Sequence, residues 1–292
     1  MSARALGACA AAVAALWLCA APARPVAAAP AAAPGALAVV GGEPITAEYL
    51  AAAAGMEGRA AGGGDDQVLL RHLVERKLLA QAARAAYPQI VAATAPELKR
   101  ERTRLLVGRY LERDVWAGLP AGPDGKPDER RRDEAAEKRA RELQVKYGYL
   151  EKKPLVQVLK REVEVEALPT DTELGRFKGV TITAGDLAEE IALSSRERNH
   201  VIRSAKGMEQ AWDSVRLSLL LAAAAVEAGC ERDPVFQARF ELLRDVVTTR
   251  ELVAAVQAQA QADPKPQERQ VQLVQKLLDK ARRDIKVEYP GK

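Results

Sequence analysis

The residues best suited to chemistry are few in this 292-residue chain and lie far apart. The two histidines are His72 and His200, and the three cysteines are Cys9, Cys19 and Cys230. Catalysis needs reactive groups that converge, with a base within hydrogen-bond reach of the nucleophile. The sequence holds no H-E-x-x-H, G-x-S-x-G, P-loop or G-x-G-x-x-G motif and no pair of C-x-x-C motifs. We therefore assign no catalytic residue, no metal ligand and no cofactor site.

Residues 1–23 are typical of a secretory signal peptide. Arg4 precedes an uncharged run rich in alanine, and the small-residue ending "APA" follows at positions 21–23. An Ala/Pro-rich linker is expected over residues 24–35, and no later apolar run is long enough to span a membrane. We expect a mature chain without a membrane span, in the periplasm or secreted, with an uncleaved N-terminal anchor as the alternative.

Signal cleavage would leave Cys230 as the only cysteine, so the mature chain could not form an internal disulfide. Cys230 lies in "VEAGCERD", at the expected end of a helix and distant in sequence from both histidines. We interpret it as a small, partly buried residue rather than a catalytic thiol.

The composition indicates amphipathic helices. Hydrophobic residues make up 48% of the chain, charged residues 29% and aromatic residues only 4%. A balance of 44 basic against 40 acidic residues is too even to favour a nucleic-acid partner. The length is sufficient for two domains with their own cores.

Two similar stretches, "VVGGEPITAEYL" and "RFKGVTITAGDL", recur at an offset of 137 residues. Each reads as a short strand, a glycine turn and a helix whose N-caps are Thr46 and Thr183. The second copy also has Asp186 three residues after its cap, which predicts a capping box. We interpret the recurrence as an internal duplication, and the pattern is structural rather than a site.

Later segments recur at an offset of 142 residues, up to "EKRARELQVKYG" and "DKARRDIKVEYP". Period-two alternation over Leu143–Tyr147 and Ile285–Tyr289 predicts a closing strand in each copy. The predicted fold is mainly α, with two tandem helical modules at residues 36–150 and 173–292 and a connector at 151–172. We expect each module to be closed by its own terminal strand, and an exchange of strands between the copies is the alternative.

The first copy resembles the N-terminal chaperone domain of the SurA and PpiD family of bacterial periplasmic chaperones and peptidyl-prolyl isomerases. The matching residues of the first copy are Val40, Gly42, Ile45, Thr46, Leu50, Leu70, Leu73, Leu78 and Leu79, with the closing segment from Glu137 to Tyr147. The second copy matches more weakly, at Phe177, Gly179, Ile182, Thr183 and Leu187. The resemblance implies a fold of two SurA-N-like modules.

Family members usually carry a parvulin isomerase domain before the closing helix, and this chain has only short polar loops there. The resemblance therefore implies ATP-independent binding of unfolded polypeptide clients, including outer-membrane proteins, without isomerase catalysis. The candidate client-binding residues are Leu105, Tyr110, Trp116, Trp212, Phe236 and Phe240. For each of these residues, packing in the hydrophobic core is the alternative to client binding.

Two other functions stay open from the sequence. One is a structural or accessory subunit of an envelope secretion or polysaccharide-export assembly, in which the same fold serves for docking. The other is a peptidyl-prolyl isomerase that uses an unrecognised site. An exposed concave apolar surface would favour the chaperone, and a flat obligate apolar face would favour the subunit. The sequence leaves the oligomeric state open.

Overall fold

A computed structural model describes residues 35–58, 66–120, 128–152, 168–198 and 205–290. Within these ranges the chain is mainly helical, with eight α-helices and two small antiparallel sheets. No helix among the described residues combines the length and apolar composition needed to cross a membrane. The predicted signal peptide, nearly all of the linker and most of the connector lie outside the described residues.

The elements follow in this order: β1 (Ala36–Val40), β2 (Glu43–Thr46), α1 (Ala47–Met56), α2 (Asp66–Ala86), α3 (Pro88–Tyr110), a π-helical turn (Leu111–Val115), α4 (Glu129–Lys146) and β3 (Leu150–Glu151). The second copy gives β4 (Glu173–Phe177), β5 (Val180–Thr183), α5 (Ala184–Arg198), α6 (Ala205–Glu227), a 3-10 turn (Cys230–Arg232), α7 (Pro234–Ala260), α8 (Pro266–Asp284) and β6 (Val287–Glu288).

The two similar stretches fold as β-hairpins that lead into helices. The first turns through Gly41 and Gly42 at φ 54° and 86°, and the second through Lys178 and Gly179 at φ 43° and 77°. A two-residue hairpin of this kind requires positive φ at both central residues, which glycine adopts without strain. The turns therefore return the chain as a second strand, β2 or β5, which was not predicted from the sequence.

Both helix starts have the predicted caps. The Tyr49 amide donates to Thr46 Oγ1 at 3.3 Å. In the second copy the Asp186 amide donates to Thr183 Oγ1 at 3.3 Å, and the Thr183 amide donates to Asp186 Oδ2 at 2.9 Å. These reciprocal bonds are a capping box, which satisfies amides that the first turn of a helix leaves without partners.

The expectation that each copy closes its own sheet is wrong. One sheet has the order β2-β1-β6, so the C-terminal strand pairs with the first strand of the chain, with Val40 opposite Val287. The other has the order β3-β4-β5, so the strand that ends the first copy pairs with the second copy. The strands are exchanged because the long helices that carry them also pack on the opposite copy.

The predicted strand over Leu143–Tyr147 is also wrong, since α4 continues to Lys146 and β3 follows at Leu150. Ala140, Leu143 and Tyr147 are buried at helical spacing, whereas Val145 is 85% exposed. The same apolar residues fit either period, and burial on α6 selects the helix. In the second copy the strand forms at Val287–Glu288, within the predicted segment.

Helices are exchanged together with the strands. We call residues 36–152 the N-terminal half and residues 168–290 the C-terminal half. The first core combines β1, β2, α1 and α2 of the N-terminal half with α7, α8 and β6 of the C-terminal half. The second core combines β4, β5, α5 and α6 with α3, α4 and β3. Each core therefore needs both halves.

Candidate functional site

The structure brings all six predicted client-binding residues into the second core. Tyr110, Trp212 and Phe236 are buried within it, and Trp212 is only 1% exposed. Leu105, Trp116 and Phe240 are partly buried and pack against it. The two copies contribute three residues each, so the set marks the junction between α3 and the C-terminal half rather than two separate surfaces.

Local contacts fix these aromatic side chains. The Trp212 indole donates to Glu151 Oε2 at 3.0 Å, and the Tyr149 hydroxyl donates to the same oxygen at 3.0 Å. Burial, together with the adjacent Glu151 carboxylate, raises the pKa of Tyr149 well above its ordinary value. Glu151 belongs to β3, so this anchor joins the end of the N-terminal half to α6. A buried indole needs such a partner for its N–H.

Trp116 is held where the chain leaves the π-helical turn. Its indole donates to the Arg132 carbonyl at 3.2 Å, and the Arg132 guanidinium lies 4.9 Å from the ring centroid. The rings of Phe236 and Phe240 stack with centroids 6.1 Å apart at the start of α7. These contacts support the packing role for the half-buried residues as well.

Of the residues first considered for chemistry, the structure describes His72 and Cys230. Cys230 is buried, and burial raises the pKa of its thiol, which disfavours the reactive thiolate. His72 is exposed on α2, and His200 lies outside the described residues. In the part of the chain that the structure describes, no three metal-ligating side chains are placed to hold an ion.

The first core also contains a polar site that was not predicted from the sequence. We call it the charge cluster, and its members are Glu43, Tyr49, Lys77, Arg84, Glu241, Arg244 and Asp245. The first four lie in the N-terminal half and the last three on α7 of the C-terminal half. Three basic groups face three acidic groups, so the formal charges balance.

Lys77 and Asp245 form the centre of the cluster, and both side chains are 0% exposed. Lys77 Nζ lies 3.1 Å from Asp245 Oδ2 and 3.2 Å from Glu43 Oε2. The Tyr49 hydroxyl donates to Asp245 Oδ2 at 2.9 Å, and Lys77 Nζ lies 4.9 Å from the Tyr49 ring centroid. The buried charges therefore have the partners that the apolar surroundings require.

Arg84 bridges the same two acidic groups, Asp245 and Glu43, from the rim of the cluster. It donates from Nη1 to Asp245 Oδ1 at 2.7 Å and from Nη2 to Glu43 Oε1 at 2.9 Å. Arg244 of α7 donates to Glu43 Oε2 at 3.1 Å. The bond from Arg84 to Asp245 crosses from the N-terminal half to the C-terminal half, and the bond from Arg244 to Glu43 crosses in the opposite direction.

Burial and the neighbouring basic groups shift the pKa values of the acidic groups in opposite directions. Burial alone would raise the pKa of Glu43, but Arg84, Lys77 and Arg244 outweigh it and hold that pKa below its ordinary value. Burial raises the pKa of Glu241, and Lys77 and Arg244 offset this only in part. Burial, followed by the Asp245 charge, raises the pKa of Tyr49 far above its ordinary value. The hydroxyl therefore stays protonated and serves as a donor.

The sequence held a signal for this cluster. On α2 the buried residues Leu73 and Ala80 enclose Lys77 at helical spacing, and on α7 Leu242 and Leu252 lie on either side of Asp245 on the buried face. The helical period predicts an apolar residue at both positions. A charged residue at such a position is rarely buried without a partner. Two such residues of opposite sign, one in each copy, could have been paired in advance.

No protein-family model, curated protein or solved structure matches the chain. The geometry of the described residues therefore defines a class of site by itself. The basic and acidic groups of the charge cluster pair with each other, and they join the two halves of one chain. This is the arrangement of a structural ion-pair cluster that holds the halves together.

Proposed function

We propose that the protein is an ATP-independent, chaperone-like protein of the periplasm that binds unfolded polypeptides, including outer-membrane proteins, without isomerase catalysis. The single observation that carries this proposal is the recurring Gly-x-x-Ile-Thr junction between a hairpin and a helix. It is the motif on which the resemblance to the SurA and PpiD chaperones rests, and the chain has it at Gly42 and Gly179.

Exposed apolar side chains support this proposal because weak, reversible binding of extended segments needs apolar surface in water. Val145 is 85% exposed at the end of α4, and Leu150 is 57% exposed at the start of β3. The buried residues of the second core are committed to packing, so we assign client contact to Val145 and Leu150 instead.

The purified chain without residues 1–23 is expected to suppress aggregation of a urea-unfolded outer-membrane protein at near-stoichiometric ratio without ATP. Replacing the two exposed residues, as Val145→Glu with Leu150→Glu, should reduce suppression because charge opposes apolar contact. Light scattering during dilution from urea measures the effect.

Val68→Glu is the matched control, since Val68 is also exposed but lies on α2 beside the first core. We expect it to leave suppression unchanged. A wild-type chain that leaves client scattering unaltered at twofold excess would contradict the chaperone function and favour an accessory subunit. Equal loss in Val68→Glu would contradict the assignment to Val145 and Leu150.

A further inference from the structure

The two halves of the chain meet as two subunits of a dimer would. They share a pattern of buried residues, since Leu73, Leu78 and Leu79 of α2 and their counterparts Val215, Leu220 and Leu221 of α6 are all buried. Each half offers a hairpin and a long helix, and receives the other half's long helix and closing strand. Because the two halves are equivalent in this way, two N-terminal halves or two C-terminal halves could pack against each other in the same arrangement.

The charge cluster breaks the equivalence. The counterpart of Lys77 in α6 is Leu219, which is partly buried and packs against the second core. The counterpart of Asp245 in α3 is Thr103, and the counterpart of Arg84 is Val226. The second core therefore has Leu219 and Thr103, neither of them charged, at the positions where the first has the buried ion pair.

We infer that the charge cluster is a partner-selecting device, which admits the C-terminal half of this chain onto the N-terminal half and rejects like halves. Two N-terminal halves would place Lys77 and Arg84 against Thr103, which brings no carboxylate. Two C-terminal halves would place Asp245 against Leu219, which brings no cation. In a pair of N-terminal halves Lys77 would keep Glu43 but lose Asp245, its fully buried partner. In a pair of C-terminal halves Asp245 would lose Lys77, Arg84 and Tyr49. Each wrong pairing leaves a buried charge with fewer partners, and such a mismatch opposes binding strongly.

This inference does not rest on the proposed function. It concerns how the chain assembles, and it predicts that the halves recognise each other even when they are separate polypeptides. The buried positions give the specificity, while the exposed ion pair between Glu97 and Arg250, which also joins α3 to α7, gives little because water screens it.

The test uses the folded full chain with one protease site introduced within residues 153–167, which lie outside the described residues and between the halves. After cleavage, native mass spectrometry should find one N-terminal half bound to one C-terminal half. After denaturation in urea and refolding of the mixture, such cross pairs should exceed like-half pairs by roughly tenfold or more.

The variant Lys77→Leu with Asp245→Thr gives the first core the residues of the second at these two positions. Its excess of cross pairs should fall at least about fivefold, towards the statistical mixture. The control Glu97→Gln with Arg250→Gln should keep the wild-type excess. Should the doubly substituted halves not refold, Asp245→Thr alone is measured, and pairs of two C-terminal halves are expected to appear.

Three results would overturn the inference. The first is a wild-type mixture that refolds to like-half pairs as readily as to cross pairs. The second is a cleaved wild-type chain that does not recover the 1:1 complex. The third is a cross-pair excess that stays at the wild-type level in both the double variant and Asp245→Thr.

Discussion

Replacing Lys77 by methionine is expected to lower the free energy of unfolding by about 3–5 kcal/mol, the range for breaking a buried ion pair from one side. The ammonium lies between the Asp245 and Glu43 carboxylates in the first core. Methionine keeps most of the side-chain volume, so the loss reports on charge rather than on a cavity. Asp245 would keep Arg84 and Tyr49, but it would lose the one cation partner whose side chain is fully buried beside it. Urea unfolding followed by circular dichroism measures the change.

A double-mutant cycle separates this effect from general damage. Asp245→Leu alone is expected to be about as harmful as Lys77→Met, and the double variant should lose less than the two together, with a coupling of about 1–3 kcal/mol. Arg130→Ala is the control because its pair with Glu134 is exposed, and it should change stability by about 0.5 kcal/mol or less. Additive losses across the cycle would contradict the assigned contact.

Trp212→Ala is expected to lower the free energy of unfolding by about 3–5 kcal/mol, because it removes a large buried side chain and leaves a cavity in the second core. The indole is 1% exposed and donates to Glu151 on β3, so its loss also weakens the attachment of the exchanged strand. Differential scanning calorimetry of the purified variant measures the loss.

Trp212→Phe keeps most of the apolar volume but removes the indole donor, so it should cost clearly less than Trp212→Ala. Phe240→Ala, at a half-buried position beside the same core, should also cost less. If Trp212→Ala left stability unchanged and weakened only client binding, Trp212 would be a binding residue as first predicted, and its place in the core would be contradicted.

Much of the fold could be predicted from local patterns. Both first strands, both glycine turns and both caps follow from residues such as Gly42, Gly179, Thr46 and Thr183, because these features depend on residues close in sequence, whereas the return strands β2 and β5 were not predicted. Leu143 and Val145 show where a local pattern fails, since apolar residues at positions 143 and 147 fit a strand or a helix equally well. Only packing against α6 decides between the two.

The exchange of strands and helices between the halves could not be predicted from local sequence patterns. β6 has the same alternating pattern whichever copy supplies its partner strand, and α7 has the same buried face whichever half it covers. The information lies in pairs of residues that are far apart in sequence. Lys77 and Asp245 are the main example, because each buried charge requires the other as a partner. For the same reason, the candidate client-binding residues were chosen by size and could not be told apart from core residues.

The most direct test of the account asks which strand lies beside β1. In a Cys230→Ser background, Val40→Cys with Val287→Cys should form a disulfide within a monomer, because these residues are directly opposite and Gly41 donates to Lys286 beside them at 2.8 Å. Val40→Cys with Tyr149→Cys is the matched control, because the register of β3 on β4, with Leu150 opposite Arg176, would place position 149 opposite Val40 if the first copy closed its own sheet. The account predicts oxidation of the first pair and not of the second, seen by mass spectrometry of non-reduced peptides. A crosslink between positions 40 and 149, with none between 40 and 287, would contradict it.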